Sequence, residues 1–221
     1  MLDEGSEGKR YVPMRRGDEH CQVLAAVNFT GGSGKTTTAA HLAQYLALHG
    51  YRVLAVDLDP QASLTALHGY QPEYDVKPNE TMYAAVRYDG ERRPMPAIIR
   101  PSYIPGLDIV PGNLELMEFE HDTPRALAER TAEPFFGRVA TALGSVAANY
   151  DVMVLDCPPQ LGFLTLGALC AATGLLVTVH PQLLDVMSMC QFLLMAADIL
   201  GVVQDSGADL EYDFIRHVVT R

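Results

Sequence analysis

The chain has no tryptophan, and only three of its sixteen basic residues are lysines. Against those sixteen stand 27 carboxylates, for a formal net charge of −11. A chain this acidic is not, as a whole, an electrostatic footprint for nucleic acid; only a local basic patch could serve. The four cysteines (Cys21, Cys157, Cys170 and Cys190) stand far apart and form no C-x-x-C pair. The histidines are equally scattered, which argues against a metal cluster or a disulfide framework. The opening residues are polar with no apolar core, so they do not read as a secretory signal. From Cys157 to Leu184 there is no Asp, Glu, Lys or Arg, a length that suggests a membrane span. Pro158-Pro159, Gly162, Gly167, Gly174 and Pro181 interrupt it, so it reads instead as turn, buried helix, turn, buried strand.

What is present is organised around Phe29-Thr30-Gly31-Gly32-Ser33-Gly34-Lys35-Thr36-Thr37-Thr38. The apolar run Val23 to Val27, within a strand from Gln22 to Asn28, precedes it, and a helical pattern from Thr36 to His49 follows, ended by Gly50. Strand, glycine-rich turn and helix are the context of a phosphate-binding loop. Glycines let the turn curl its N–H groups around an anion, and the helix adds the positive end of its dipole. Lys35 supplies a point charge for the outer phosphates, and the Thr36 hydroxyl is an oxygen ligand for Mg²⁺. The general pattern of Gly, any four residues, Gly-Lys-Ser/Thr fails at one position, because residue 29 is Phe.

The rest reads as alternating β and α elements around one core, an expected domain over 22–221 behind an extension or linker over 1–21. A continuous apolar strand, Val53 to Val56, runs into Asp57-Leu58-Asp59-Pro60-Gln61. Strand alternation puts Asp57 and Asp59 on one side, at the rim where open α/β sheets bind ligands. Residues 71–106, punctuated by prolines, read as a surface excursion with a short helix near Glu80 to Arg87. Its cluster Arg87, Arg92, Arg93, Arg100 reads as a solvated face rather than a DNA patch. A short strand at 107–111 and a helix from Arg125 to Asn149, with a break at Pro134, are expected next. Val152-Met153-Val154-Leu155-Asp156 is then a Walker B arrangement, with Asp156 able to hold a water of the Mg²⁺ shell. Cys157-Pro158-Pro159-Gln160 is a rigid turn placed to sense the γ-phosphate. A strand at 175–179, an amphipathic helix from Leu184 to Leu200 ending at Gly201, and a strand at 212–219 complete the chain. The fold class is a P-loop α/β domain with a mainly parallel sheet flanked by helices.

Three stretches carry a resemblance: Gly31-Gly32-Ser33-Gly34-Lys35-Thr36-Thr37, Asp57-Leu58-Asp59-Pro60-Gln61 and Asp156-Cys157-Pro158-Pro159. Together they resemble the ParA/MinD partition ATPases, with their deviant Walker A loop. Asn28-Phe29, the run Pro111 to His121 and the run Pro159 to Leu166 resemble the RepA branch of the repABC plasmid systems. The resemblance runs from about Tyr11 to Arg221. It implies ATP and Mg²⁺ as cofactors, a cytoplasmic location and an ATP-dependent homodimer that binds DNA non-specifically. It also implies a RepB/ParB-like centromere-binding partner that stimulates hydrolysis. Carried over by position, Gly31 to Thr37 hold the phosphates and Thr36 and Asp156 serve Mg²⁺. Lys35 and Asp59 act in catalysis, Asp59 positioning the attacking water, with Asp57 beside it. Three departures are expected to matter. The family's extra loop lysine, which reaches the partner's phosphates, is Thr30 here. An N-terminal DNA-binding region and further C-terminal elements are expected beyond the ends of this chain. ATP is expected over GTP on the resemblance, and no Asn-Lys-x-Asp guanine motif occurs. Other readings stay open: a hydrolysis-deficient regulatory module pairing with full-length RepA or RepB, a MinD-like protein at a membrane, or a cluster-binding reductase of related fold. Each has less in the residues to support it.

Overall fold

The structure is a computed structural model that describes residues 21–129, 134–206 and 210–220. The expected 1–21 extension, with Arg15-Arg16, therefore lies outside the described residues except for Cys21. In chain order the elements are β1 (Gln22–Val27), α1 (Lys35–Leu48), β2 (Val53–Asp57), α2 (Ser63–Leu67), α3 (Pro72–Asp75), α4 (Met82–Val86), β3 (Arg100–Pro101), β4 (Leu107–Val110), α5 (Met117–Glu129), α6 (Phe135–Gly144), β5 (Val152–Asp156), α7 (Phe163–Ala171), β6 (Gly174–Val179), α8 (Leu183–Asp205) and β7 (Phe214–Val219).

The strands form a single sheet in the order β3-β4-β2-β5-β1-β6-β7. All pairs are parallel except β3 with β4. Parallel neighbours require crossovers, and crossover helices cover both faces, which is why β2 and β5 are apolar without alternation. On one face the small side chains of α1 (Ala39, Ala40, Ala43, Ala47) lie against Ala26, Val53, Ala55, Val152 and Val154. Alanine brings the helix axis close to the strands. On the other face α4 to α8 pack around Phe119, Val139, Leu143, Leu164, Leu169 and Phe192. There α6 and α7 approach closely at Gly167, where a Cβ would meet Val139 Cγ2 at 2.9 Å.

The topology brings the motifs together. β1 lies between β5 and β6, and β5 lies between β1 and β2. In register, Ala26 faces Asp156, and Asp57 faces Asp156. Connections leaving β1 and β5 run to opposite sides of the sheet, so a crevice opens at their C-terminal ends.

Several expectations are corrected. The excursion over 71–106 is not merely a surface feature: Met82, Tyr83, Ala84, Ala85, Val86, Met95 and Ile98 are buried in the main core. Its arginines do hold it together. Arg87 donates to Asn79 Oδ1, Arg93 to the Asn79 carbonyl, and Arg100 pairs with Glu80. A strand absent from the sequence reading, β3, closes it against β4 in antiparallel register. The helix expected over 125–149 does break at Pro134, the N-cap of α6, but α5 begins earlier, at Met117, and α6 ends at Gly144. Asn113 caps the turn leading into α5 by accepting from the Glu115 N–H at 2.8 Å. α8 does not stop at Gly201 but continues to Asp205. It is the one helix among the described residues long and apolar enough to cross a membrane by length and composition. It buries Phe192, Ala196 and Val203 and leaves Leu183, Leu184, Met187, Leu194 and Val202 exposed.

Candidate nucleotide site

The segment between β1 and α1 turns through two left-handed glycines, Gly32 at φ 76° and Gly34 at φ 83°, a backbone geometry that only glycine adopts without strain. Gly34 is the N-cap of α1 and its carbonyl takes the Thr38 N–H at 2.8 Å. Among the described residues the N–H groups of Gly31 to Gly34 donate to no protein acceptor. Gly31, Gly32 and Thr37 are exposed, Thr36 is partly exposed, and Ser33 and Lys35 are buried. A curl of free N–H groups over a helix start is an anion cradle.

Lys35 Nζ donates to the Thr30 carbonyl at 3.0 Å. Burial lowers its pKa, opposed by the nearby charges of Asp156 and Asp59. Asp156 is fully buried, and no hydrogen bond of normal geometry reaches either carboxylate oxygen. The Thr36 hydroxyl lies near enough to favour its charged form, but burial and the charge of Asp57 push its pKa up to about 8. A buried carboxylate without partners is costly unless a cation meets it. The donor set here, one orphaned carboxylate and one hydroxyl at the mouth of an anion cradle, suits a hard divalent ion such as Mg²⁺.

The two aspartates after β2 have different surroundings. Asp57 is fully buried; Oδ2 accepts from the Thr65 N–H at 2.8 Å and the Thr65 hydroxyl at 2.7 Å, and Oδ1 accepts from the Asp59 N–H at 3.2 Å. Burial still raises its pKa to about 7. It ties α2 to the sheet and lies under Gly112, where a Cβ would meet Asp57 Cγ at 2.9 Å. β2 ends at Asp57, so Asp59 sits in the following turn and the alternation expected of a strand does not set its direction. Asp59 is partly exposed, accepts from the Gln61 N–H at 2.9 Å, and feels Lys35 and Asp156 electrostatically. Thus the structure gathers Gly31 to Thr37, Asp59 and Asp156 around one crevice, with Asp57 behind the rim.

Further residues had no role in the sequence reading. Glu120 of α5 accepts from the Phe163 and Leu164 N–H groups at 2.8 and 2.9 Å, capping α7 just after the Asp156–Gly162 turn. Thr178 holds the loop from β6: its carbonyl takes Asn28 Nδ2 at 2.6 Å and its hydroxyl meets Ser33 Oγ at 3.0 Å. His180 and Thr220 contact the loop carbonyls of Gly32 and Ser33. No local signal marks Glu120, because the helix it caps begins 43 residues further along the chain.

Residues 21–205 match the AAA domain family. Over its whole length the chain is 60% identical to a Rhizobium rhizogenes protein named "Putative replication protein A", of which it spans 55%. It is 36% identical to Protein SopA of Escherichia coli K12 across 84% of the chain and 48% of that protein. The chain thus spans about half the length of these curated relatives. Among solved structures, cobyrinic acid a,c-diamide synthase from Mycobacterium smegmatis with bound ADP and magnesium superposes with a TM-score of 0.72 at 29% identity, covering 88% of this chain and 71% of that one.

Proposed function

The chain belongs to the ParA-type partition ATPases within the AAA domain family, and from that premise we propose that it binds Mg-ATP at the 31–37 loop and hydrolyses it in a plasmid-segregation cycle. In that cycle ATP drives homodimerisation and non-specific DNA binding, and a RepB/ParB-like partner triggers turnover. The observation that carries the reading is the orphaned pair of buried Asp156 oxygens beside Thr36, at the mouth of a loop with free N–H groups. The solved relative with ADP and magnesium supports nucleotide and metal in this fold.

In this reading the N–H groups of Gly31 to Gly34 and the start of α1 hold the phosphates. Lys35 leaves the Thr30 carbonyl and turns to the outer phosphate oxygens, where its charge stabilises the transferring group. Thr36 and Asp156 hold Mg²⁺, which when bound neutralises charge building on the phosphate oxygens. Asp59, at the rim, orients the water. Asp57 keeps the turn before Asp59 in place by accepting the Asp59 N–H.

A second reading rests on Thr30. Its backbone carbonyl takes Lys35 in this structure, and its side chain carries no charge for a partner's phosphates. In that reading the chain is a nucleotide-binding regulatory module with little turnover. Calorimetric titration of Mg-ATP into the chain, with Lys35→Ala as control, tests binding. Binding that persists undiminished in Lys35→Ala refutes the loop as the site. Turnover with DNA and the centromere-binding protein present, compared with Thr30→Lys, separates the two readings. A rate equal to the variant's favours the partition ATPase; binding with turnover only in Thr30→Lys favours the module.

A further inference from the structure

His180 follows directly on β6, and both of its ring nitrogens face oxygen. Nε2 lies 2.8 Å from the Gly32 carbonyl of the loop, and Nδ1 lies 3.1 Å from the Thr220 carbonyl at the end of β7. A carbonyl oxygen only accepts, so an imidazole set between two of them makes both bonds only with a proton on each nitrogen. The Thr220 hydroxyl, 3.2 Å from Nδ1, could donate to a bare Nδ1, but it is already bonded to the Ser33 carbonyl at 2.7 Å. Deprotonation therefore removes one contact in every arrangement: the His180–Gly32 bond in the Nδ1–H tautomer, and in the Nε2–H tautomer the His180–Thr220 bond or, where the Thr220 hydroxyl turns to Nδ1, the Thr220–Ser33 bond. The same contacts fix the outer side of the loop. Carbonyls of Gly32 and Ser33 held from outside leave the N–H groups between them directed inward, toward the anion cradle.

We propose that His180, as an imidazolium, is a positioning residue for the phosphate-binding loop, latching the Gly32 carbonyl to the ends of β6 and β7. The inference rests on the nucleotide reading of that loop. The hydrogen bonds to Thr220 and Gly32 raise the ring's pKa above the ordinary histidine value, in the direction the geometry requires. Around the ring, the loop contributes the Gly32 carbonyl and β7 contributes the Thr220 carbonyl and hydroxyl, none of which titrates here. Among the described residues the charged group acting on it is Asp185, in the first turn of α8, which favours the same form. The sign follows: the latch is complete at low pH and is lost as pH rises through the raised pKa. A bound phosphate favours the imidazolium further, so nucleotide binding takes up a proton.

Two measurements on the whole chain test this. Side-chain ¹H–¹⁵N spectra, with the His180 signals identified by their loss in His180→Gln, give the ring's protonation without nucleotide. A midpoint above the ordinary value of about 6.5 is expected, with both nitrogens protonated at pH 6. A midpoint at or below that value overturns the latch. Calorimetric titration with Mg and a non-hydrolysable ATP analogue at pH 6 and pH 8 gives the coupling. Wild type is expected to lose affinity at least about tenfold more than His180→Gln over that interval, the worth of one charge-assisted hydrogen bond. Thr220→Val, which keeps the carbonyl but removes the Ser33 contact, is expected to weaken binding while retaining the pH dependence. Parallel pH profiles in wild type and His180→Gln overturn the positioning role. A raised midpoint with no analogue binding overturns the nucleotide reading, and the positioning role with it, while the latch stands.

Discussion

Replacing Glu120 by Ala tests whether α5 holds the segment that follows Asp156. The Glu120 carboxylate accepts from the Phe163 and Leu164 N–H groups at 2.8 and 2.9 Å, at the positive end of α7. It packs so closely that a Cβ on Gly162 would meet Glu120 Oε1 at 2.6 Å. Removing it leaves two helix N–H groups without their acceptor, at about 1 kcal/mol each. It also removes a negative charge from the helix start, worth roughly 0.5 kcal/mol. The loss expected is about 2–3 kcal/mol. With a urea slope of roughly 3 kcal/mol/M, the midpoint falls by about 0.8 M. Glu120→Gln keeps one acceptor but turns its NH₂ toward the second N–H, so about half the loss is expected. Urea melts of the two variants beside wild type make the comparison. If Glu120→Ala unfolds within 0.2 M of wild type with an unchanged slope, the cap contributes little and the reasoning fails (a difference below about 0.6 kcal/mol).

In the Mg-free protein burial raises Asp156 to about 8, against 3.8 for the free side chain. Between those values the folded state keeps a proton the unfolded state has lost, so stability falls with rising pH by up to about 1.4 kcal/mol per unit. Asp156→Asn is expected to have a shallower decline between pH 5 and 8 in urea melts without metal; parallel slopes would refute the burial argument. Arg138 is buried, donates to the Val86 and Arg87 carbonyls at 2.9 Å each, and stacks 3.8 Å over Tyr88. Arg138→Met keeps the stem but loses these bonds, and a destabilisation of about 2–3 kcal/mol is expected by chemical denaturation. Phe192 is 1% exposed and meets Phe29 edge-on at 5.0 Å between centroids. Phe192→Ala is expected to cost about 3–4 kcal/mol, visible as a lowered Tm.

Much of this protein can be read from local order. Continuous apolar runs ending in Asp57 and Asp156 announce parallel strands, because a strand covered on both faces has no polar alternation to show. Gly31 to Thr37 announces its loop, because left-handed glycines and a helix start are local requirements. What local order could not supply was partnership across the chain. Strand periodicity suggested equivalent directions for Asp57 and Asp59, but β2 stops at Asp57, and Thr65 and Gly112 enclose that carboxylate while Asp59 lies in the turn beyond. The arginine cluster looked solvated until α4, buried against α6, drew its segment into the core. Gly201 looked like a helix end, yet the backbone hydrogen bonds of α8 continue through it, since glycine weakens a helix by only about 1 kcal/mol. Glu120, Thr178, His180 and Thr220 carry no motif at all. They act through a few hydrogen bonds to residues distant in sequence, and only the order of strands in the sheet decides which backbone groups those side chains reach.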